Sequence, residues 1–244
     1  MPALNRRQLI LLALVTLVWG INWPIMKFGV TGYPPLTFRT LCMWLGLPLL
    51  GAFVLWRREP LRIGREHWRE FGVLTVFNML IWHTLAILAV QSLSSGRAAI
   101  LGYTMPVFSA VIGALFLSQR LSAPTPPQST LTLSFWMTVV ATVWMTALAV
   151  LFERQYWHWP TAGQWASILY NAVGVFAFAQ AAWLMLAREL PPVASTLSVM
   201  FIPVLGVFSG AWWLGETLHW QDWAAVGLVM VSIGSVLLPS RAGR

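Results

Sequence analysis

Apolar residues along this chain gather into eight long runs separated by short polar segments. The runs cover residues 9–30, 34–56, 71–93, 97–118, 131–152, 162–187, 191–214 and 221–239. Each is close to or above the roughly 20 residues that an α-helix needs to cross the hydrocarbon core of a bilayer. No water reaches the backbone there, so such runs cross as helices whose hydrogen bonds close internally. Prolines stand at run starts (Pro34, Pro35, Pro191, Pro192) and inside runs at Pro24, Pro48, Pro106 and Pro203. The interior ones predict kinks whose freed carbonyls are satisfied by neighbouring helices. The pattern as a whole predicts an all-α integral membrane protein with eight transmembrane helices.

Composition supports this reading. The 244 residues are 58% hydrophobic and 9% charged, whereas a soluble domain carries roughly 25% charged residues. A net charge of +8 would suggest nucleic acid if the cations shared a face. Instead they punctuate the apolar runs, so the expected partner is the lipid bilayer and no nucleic acid. With the N-terminus inside, Arg6, Arg7, Arg57, Arg58, Arg62, Arg65, Arg69, Arg120, Arg188, Arg241 and Arg244 all fall on the cytoplasmic side, eleven of the fifteen basic residues. The positive-inside bias then places both termini in the cytoplasm. Trp56, Trp68, Trp157, Trp159, Trp165, Trp220 and Trp223 cluster near run ends, where indole rings favour the headgroup layer. The first run is too long for a signal-peptide core, contains Trp19, Asn22 and Pro24, and has no small-residue cleavage site after it; it reads as a retained anchor. Cys42 is the single cysteine, which excludes an intrachain disulfide and a cysteine-based metal cluster.

The chemistry-bearing residues point away from catalysis. All seven carboxylates (Glu59, Glu66, Glu70, Glu153, Glu189, Glu216, Asp222) fall in loops or at run ends. A proton pump or intramembrane hydrolase places acids within its spans. Metalloprotease, nucleophile-elbow and P-loop patterns are absent, so no enzyme activity, metal or cofactor is expected. The substrate-cavity candidates are Trp19, Asn22, His83, Tyr103 and Asn171. Asn22 lies one turn beyond Trp19, so both can face one space, which is expected to include residues near Tyr103 and Pro203. For Asn22 an interhelical hydrogen bond is the competing role, and for His83 a neutral ring bonded to a neighbouring helix. Asn78 and Gln180 are similar polar candidates. Asn171 and Gln180 stand nine residues apart, about 180° around a helix, so they do not share one pore. Lys27, Arg39 and Arg97 defy the positive-inside trend near the outer ends of spans. They are expected either to form an outer vestibule attracting anionic or zwitterionic substrates or to snorkel and bond helix-end carbonyls.

Two stretches of the chain resemble each other. Leu93-Ser94-Ser95-Gly96-Arg97 leads to Met105-Pro106-Val107-Phe108 and Leu117-Ser118-Gln119-Arg120-Leu121. Leu190-Pro191-Pro192-Val193-Ala194 leads to Ile202-Pro203-Val204-Leu205 and Leu214-Gly215-Glu216-Thr217-Leu218. The offset is 97 residues throughout, without a gap. Ser109 and Gly113 meet Gly206 and Gly210, so both copies carry a small-xxx-small pair that predicts tight helix packing. The first copy spans runs three and four and the second runs six and seven, so the copies are oppositely oriented, as inverted repeats of a transporter are.

Trp19-Gly20-Ile21-Asn22 followed by Lys27, Phe38-Arg39 early in the second run, the Pro106-centred fourth run, and Gly215-Glu216-Thr217-Leu218 after a Pro203-centred run resemble EamA-type permeases of the drug/metabolite transporter superfamily. The resemblance covers nearly the whole chain. It implies ten helices in two inverted five-helix halves, with Glu216 as a recurrent turn element that fixes structure. This chain departs from the pattern. Ser122-Ala123-Pro124-Thr125-Pro126-Pro127 leads from the fourth helix to one resembling the family's seventh, so helices five and six are missing. Residues 1–121 then form the first half (helices one to four) and 122–244 the second, whose four helices resemble the family's seventh to tenth.

The resemblance implies a permease that carries small metabolites or amphipathic compounds across a bacterial inner membrane by alternating access. The alternative is a truncated, transport-inactive remnant or assembly partner. A missing helix pair also leaves a wall that a homodimer could supply. The topology is checked with a reporter active only in the periplasm. Fusion at Arg244 is expected to be silent and fusion near Thr161 to be active; a bright fusion at Arg244 would contradict the orientation.

Overall fold

Helix α1 (Arg6–Val30) starts where Asn5 can cap it. The Asn5 carboxamide accepts the Gln8 N–H at 2.8 Å and Gln8 returns the bond to the Asn5 N–H at 3.1 Å, a reciprocal cap worth about 1 kcal/mol. A computed structural model of the chain describes residues 5–105, 108, 129–190 and 192–237. After α1 come α2 (Pro35–Trp56), α3 (Arg65–Ser92), α4 (Ser95–Gly102), α5 (Thr130–Phe152), α6, α7 (Pro192–Leu214) and α8 (Trp220–Leu237). Helix α6 runs from Ala162–Leu169 through a π-helical stretch, Tyr170–Ala179, to Gln180–Glu189. The described residues contain no β-strand.

Five of these helices are long and apolar enough to cross a membrane: Arg6–Val30, Pro35–Trp56, Arg65–Ser92, Thr130–Phe152 and Ala162–Leu186, with a shorter apolar helix at Val199–Leu214. Most of the expected fourth span, 97–118, lies outside the described residues. Large apolar side chains cover the surface of the bundle. Trp212 is 89% exposed, Leu151 74% and Val231 71%, a surface suited to lipid rather than water.

The inverted repeat governs the packing. Shifting Arg65–Ser92 by 97 residues gives 162–189, the bounds of α6, and shifting the start of α4 at Ser95 gives Pro192, the start of α7. Helix α3 has its own π-helical stretch, Thr75–Ile81, and the same shift carries it into the π stretch of α6. π-helical turns are rare and concentrate where a helix is adapted to function. The pairs α2 with α5 and α4 with α7 map onto each other and both are in contact; α2 with α6 maps to α5 with α3, and both contacts exist. Helix α1 lies against α7 and α6. Small residues allow the closest approaches. A Cβ on Gly206 would come within 2.9 Å of the Ala99 Cβ, and one on Gly210 would strike Ser95 and Glu216. Ser109 and Gly113, their predicted counterparts, lie outside the described residues.

Two carboxylates pin the bundle at the end that carries the α1–α2 turn, here called the Tyr33 face. Glu153, just after α5, accepts the Leu36 N–H at 2.9 Å, the Thr37 N–H at 2.7 Å and the Thr37 hydroxyl at 2.8 Å. It thereby caps the N-terminus of α2, its repeat partner. Glu216, just after α7, accepts the Ser95 N–H at 2.7 Å, the Ser95 hydroxyl at 2.8 Å and the Gly96 N–H at 3.4 Å, capping α4 in the same way. Helix N-termini carry unpaired N–H groups and a partial positive charge, so a carboxylate satisfies both. The positions at helix ends match the sequence reading, but Glu153 is buried rather than solvent-facing.

Glu153→Ala strands two buried N–H groups and is expected to cost about 2–3 kcal/mol. This is read as a lowered Tm in detergent, with Glu70→Ala, whose side chain is 61% exposed, as the unaffected control. An unchanged Tm for Glu153→Ala would contradict the capping role.

Candidate functional site

Helix α1, which carries Pro24 within it, and the π stretches of α3 and α6 surround an internal cavity of about 220 Å³. Helix α1 contributes Trp19, Asn22, Trp23 and Met26; α2 contributes Arg39; α3 contributes Met79, Trp82, His83 and Ala86. Tyr103 at the end of α4, Thr138 of α5, and Val175, Phe176 and Gln180 of α6 complete the wall. The two repeats meet here as equivalents: 97 residues separate His83 from Gln180 and Met79 from Phe176. Aromatic rings line much of the space. Trp23 meets Tyr103 edge-on at 6.4 Å, and the His83 and Phe176 rings lie 5.5 Å apart.

The polar groups of this wall are poorly satisfied. Asn22 Oδ1, His83 Nδ1 and Arg39 Nε are buried without a hydrogen-bond partner among the described residues. Buried polar atoms are nearly always paired, so orphans gathered at one cavity mark a place prepared for something else. Gln180 and Thr138 are satisfied: Gln180 donates from Nε2 to Ser134 Oγ at 3.0 Å and the Thr138 hydroxyl donates to the Ser134 carbonyl at 2.7 Å.

Four of the five cavity candidates, Trp19, Asn22, His83 and Tyr103, share this wall, whereas Pro203 and Asn171 are not part of it. Asn171 donates to the Ser167 carbonyl of its own helix at 3.0 Å. Gln180, nine residues further on in the same helix, lines the cavity. His83 does not bond a neighbouring helix through Nδ1, contrary to the simpler expectation.

The three cations proposed for an outer vestibule do not form one. Lys27 donates from Nζ to the Gln91 carbonyl at 2.9 Å, where α3 ends. Arg97 pairs with Asp222 at 3.3 Å and ties α4 to α8. Arg39 is 3% exposed and belongs to the internal cavity; one turn inside α2, its side chain reaches inward to Met26 and Phe176. Sequence reasoning missed Trp23, Trp82, Thr138 and Phe176. The 97-residue offset carried the available signal for Phe176, because it pairs that residue with Met79.

A larger hollow of about 800 Å³ opens at the Tyr33 face, between the α1–α2 turn, α3 and α5. Its walls are mainly apolar, and the Glu153 carboxylate on its rim is already engaged in capping α2. Tyr33 in the turn packs edge-on to His158 at 5.0 Å. Burial, with the Glu153 charge adding to it, pushes the Tyr33 phenol above its usual pKa, so this rim carries a neutral phenol. The smaller cavity, with its unpaired groups, is the candidate site.

The EamA-like transporter family matches residues 6–126 and again residues 124–238. The chain belongs to the EamA-like transporter family. It is similar to the uncharacterized transporter YoaV of Bacillus subtilis, 24% identical over 261 residues, covering 85% of this chain and 87% of the relative. A second uncharacterized Bacillus subtilis transporter, YvbV, is 29% identical over 115 residues, 47% of this chain and 37% of the relative. Protein PagO of Salmonella typhimurium is 30% identical over 112 residues, 46% of this chain and 36% of the relative. No solved structure gave a significant match. Family and relatives together make this a multi-pass membrane transporter.

Within this EamA-type chain the α4–α7 contact also positions the cavity wall, because Gly206 lies against Ala99 and the Trp23 ring. Gly206→Leu is expected to force these apart and cost about 1–3 kcal/mol. Gly227→Leu, on α8 with open space around it, is expected to cost nothing by packing. Equal Tm values for the two variants would contradict the contact.

Proposed function

We propose that this EamA-type chain is a permease that carries small metabolites or amphipathic compounds across a bacterial inner membrane by alternating access, with both termini cytoplasmic. The observation that carries the reading is the internal cavity, whose walls come from both inverted repeats at equivalent positions. In such transporters one repeat rocks against the other around a shared site. His83 and Gln180 stand as that pair of equivalents here. A volume of about 220 Å³ is below the roughly 300 Å³ at which pockets for drug-sized ligands begin, which favours a small solute. The orientation rests on the eleven basic residues of the inner side. With the N-terminus inside, the Glu153 and Glu216 caps lie on the outer side, the side that they hold together.

The transport-inactive alternative has one specific support. The alignment with YoaV, 261 positions, is longer than this 244-residue chain, so part of the relative faces a gap here, as a missing helix pair would produce. A second copy supplying the missing wall is the arrangement in which the permease reading and the gap are both accommodated.

Flux decides between the readings. Purified protein in proteoliposomes is expected to move some members of a labelled panel of small acids, amines and neutral metabolites above the rate in empty vesicles. Asn22→Leu is expected to insert normally and to lower that flux about five- to tenfold, the worth of one hydrogen bond. A panel without any flux would favour the inactive alternative, and full flux in Asn22→Leu would remove Asn22 from the site.

A further inference from the structure

Arg39 is a cation inside the bundle with no counter-charge among the described residues. Its guanidinium stays charged under all conditions that a protein survives. Among the described residues none of the ion pairs involves Arg39, and none of those that line the cavity is a carboxylate. Its Nη2 donates to the Met26 thioether at 2.8 Å, its Nε donates to nothing, and its plane lies 5.7 Å from the centre of the Phe176 ring. A thioether is a weak acceptor and a ring face a partial one. A buried charge left this way is costly, and ionisable residues inside membrane helices persist where they serve a solute path.

We propose that Arg39 is the anion anchor of the cavity and that the solute it takes carries one carboxylate on a small apolar or aromatic body. The proposal rests on the permease reading. A guanidinium presents its N–H groups as a fork that matches a carboxylate in a bidentate pair. His83 Nδ1, when it is the protonated ring nitrogen, supplies a further donor at the same wall. Trp19, Trp23 and Tyr103 offer flat surfaces to the body of the solute. A phosphate also fits an arginine fork, but it carries about −1.5 to −2 charges at neutral pH. Among the described residues Arg39 is the one lysine or arginine lining the cavity, so a monoanion balances its charge in the low-dielectric interior and a phosphate exceeds it. The volume, about 220 Å³, corresponds to about seven waters at roughly 30 Å³ each, enough for one ring and its acid group.

The test uses the full chain in lipid nanodiscs and measures equilibrium binding of phenylpropionate, phenylpropionamide, phenylpropylamine and phenyl phosphate. Phenylpropionate is expected to bind at least about tenfold more tightly than each of the others. Arg39→Gln is expected to bring it down to the level of the amide, and Arg39→Lys to retain part of the difference. Should Arg39→Gln fail to fold, the comparison among the four compounds on the unaltered protein and on Arg39→Lys decides. Equal binding of acid and amide, tighter binding of the phosphate, no binding of the acid, or unchanged binding in Arg39→Gln would overturn the proposal. Flux of the same compounds in proteoliposomes separates the two readings. Transport without preference for the acid removes the anchor and keeps the permease; acid-selective binding without flux keeps the anchor and removes the permease.

Discussion

A bilayer interior offers no hydrogen bonds, and this structure is arranged around that constraint. Each backbone group not satisfied inside its own helix needs a partner supplied by the protein, since leaving it bare costs several kcal/mol. The ends of helices are where the need is greatest. Glu153 and Glu216 meet it by reaching from the end of one helix to the start of another. Threonines inside the spans follow the same rule with their own side chains: Thr138, Thr142 and Thr146 each donate to the carbonyl four residues earlier. The polar atoms that escape the rule are therefore informative. Of the five such atoms among the described residues, those of Asn22, His83 and Arg39 stand around one cavity, and those of Thr40 and Asn171 outside its wall.

Symmetry explains why the cavity is where it is. The repeat pairs α3 with α6, and each carries a π-helical stretch at the equivalent place. A π turn widens the helix and reorients the residues beyond it, which brings His83 and Gln180 to the same space from opposite sides. The two carboxylate caps obey the same relation, since Glu153 joins α5 to α2 and Glu216 joins α7 to α4. Both lie on one face. In the sequence, Gln119 stands where the 97-residue offset would place the equivalent of Glu216. Helix α1 stands outside the repeat, because its counterpart would be the family's sixth helix. It nevertheless supplies Trp19, Asn22, Trp23 and Met26 to the wall.

Much of this was legible without coordinates. Apolar run length predicts helices because 20 or so residues and a closed backbone are forced by the membrane, independently of what packs against what. The 97-residue offset predicts the repeat because equivalent helices face equivalent neighbours. Trp19 and Asn22 were placed on one face by helical phase alone. The α-helical phase used for Asn171 and Gln180 does not hold across the π-helical stretch between them, and Gln180, not Asn171, lines the cavity. Glu216 was read as a structural element, whereas the cap on α2 formed by Glu153 gave no sign of itself.

The sequence by itself determined the fold class, the inverted repeat and the small residues at 206 and 210, because each follows from local periodicity or from a fixed separation along the chain. Only the tertiary structure decided the fate of the cations. Lys27, Arg39 and Arg97 look alike in sequence, each near the end of an apolar run. Lys27 finds a helix-end carbonyl, Arg97 finds Asp222, and Arg39 finds no counter-charge among the described residues. What separates them is the groups they meet 64, 125 and 137 residues further along: the Gln91 backbone carbonyl, the Asp222 carboxylate and the Phe176 ring. A charge is neutralised or left unpaired by what surrounds it in space, and no spacing along the chain encodes that surrounding.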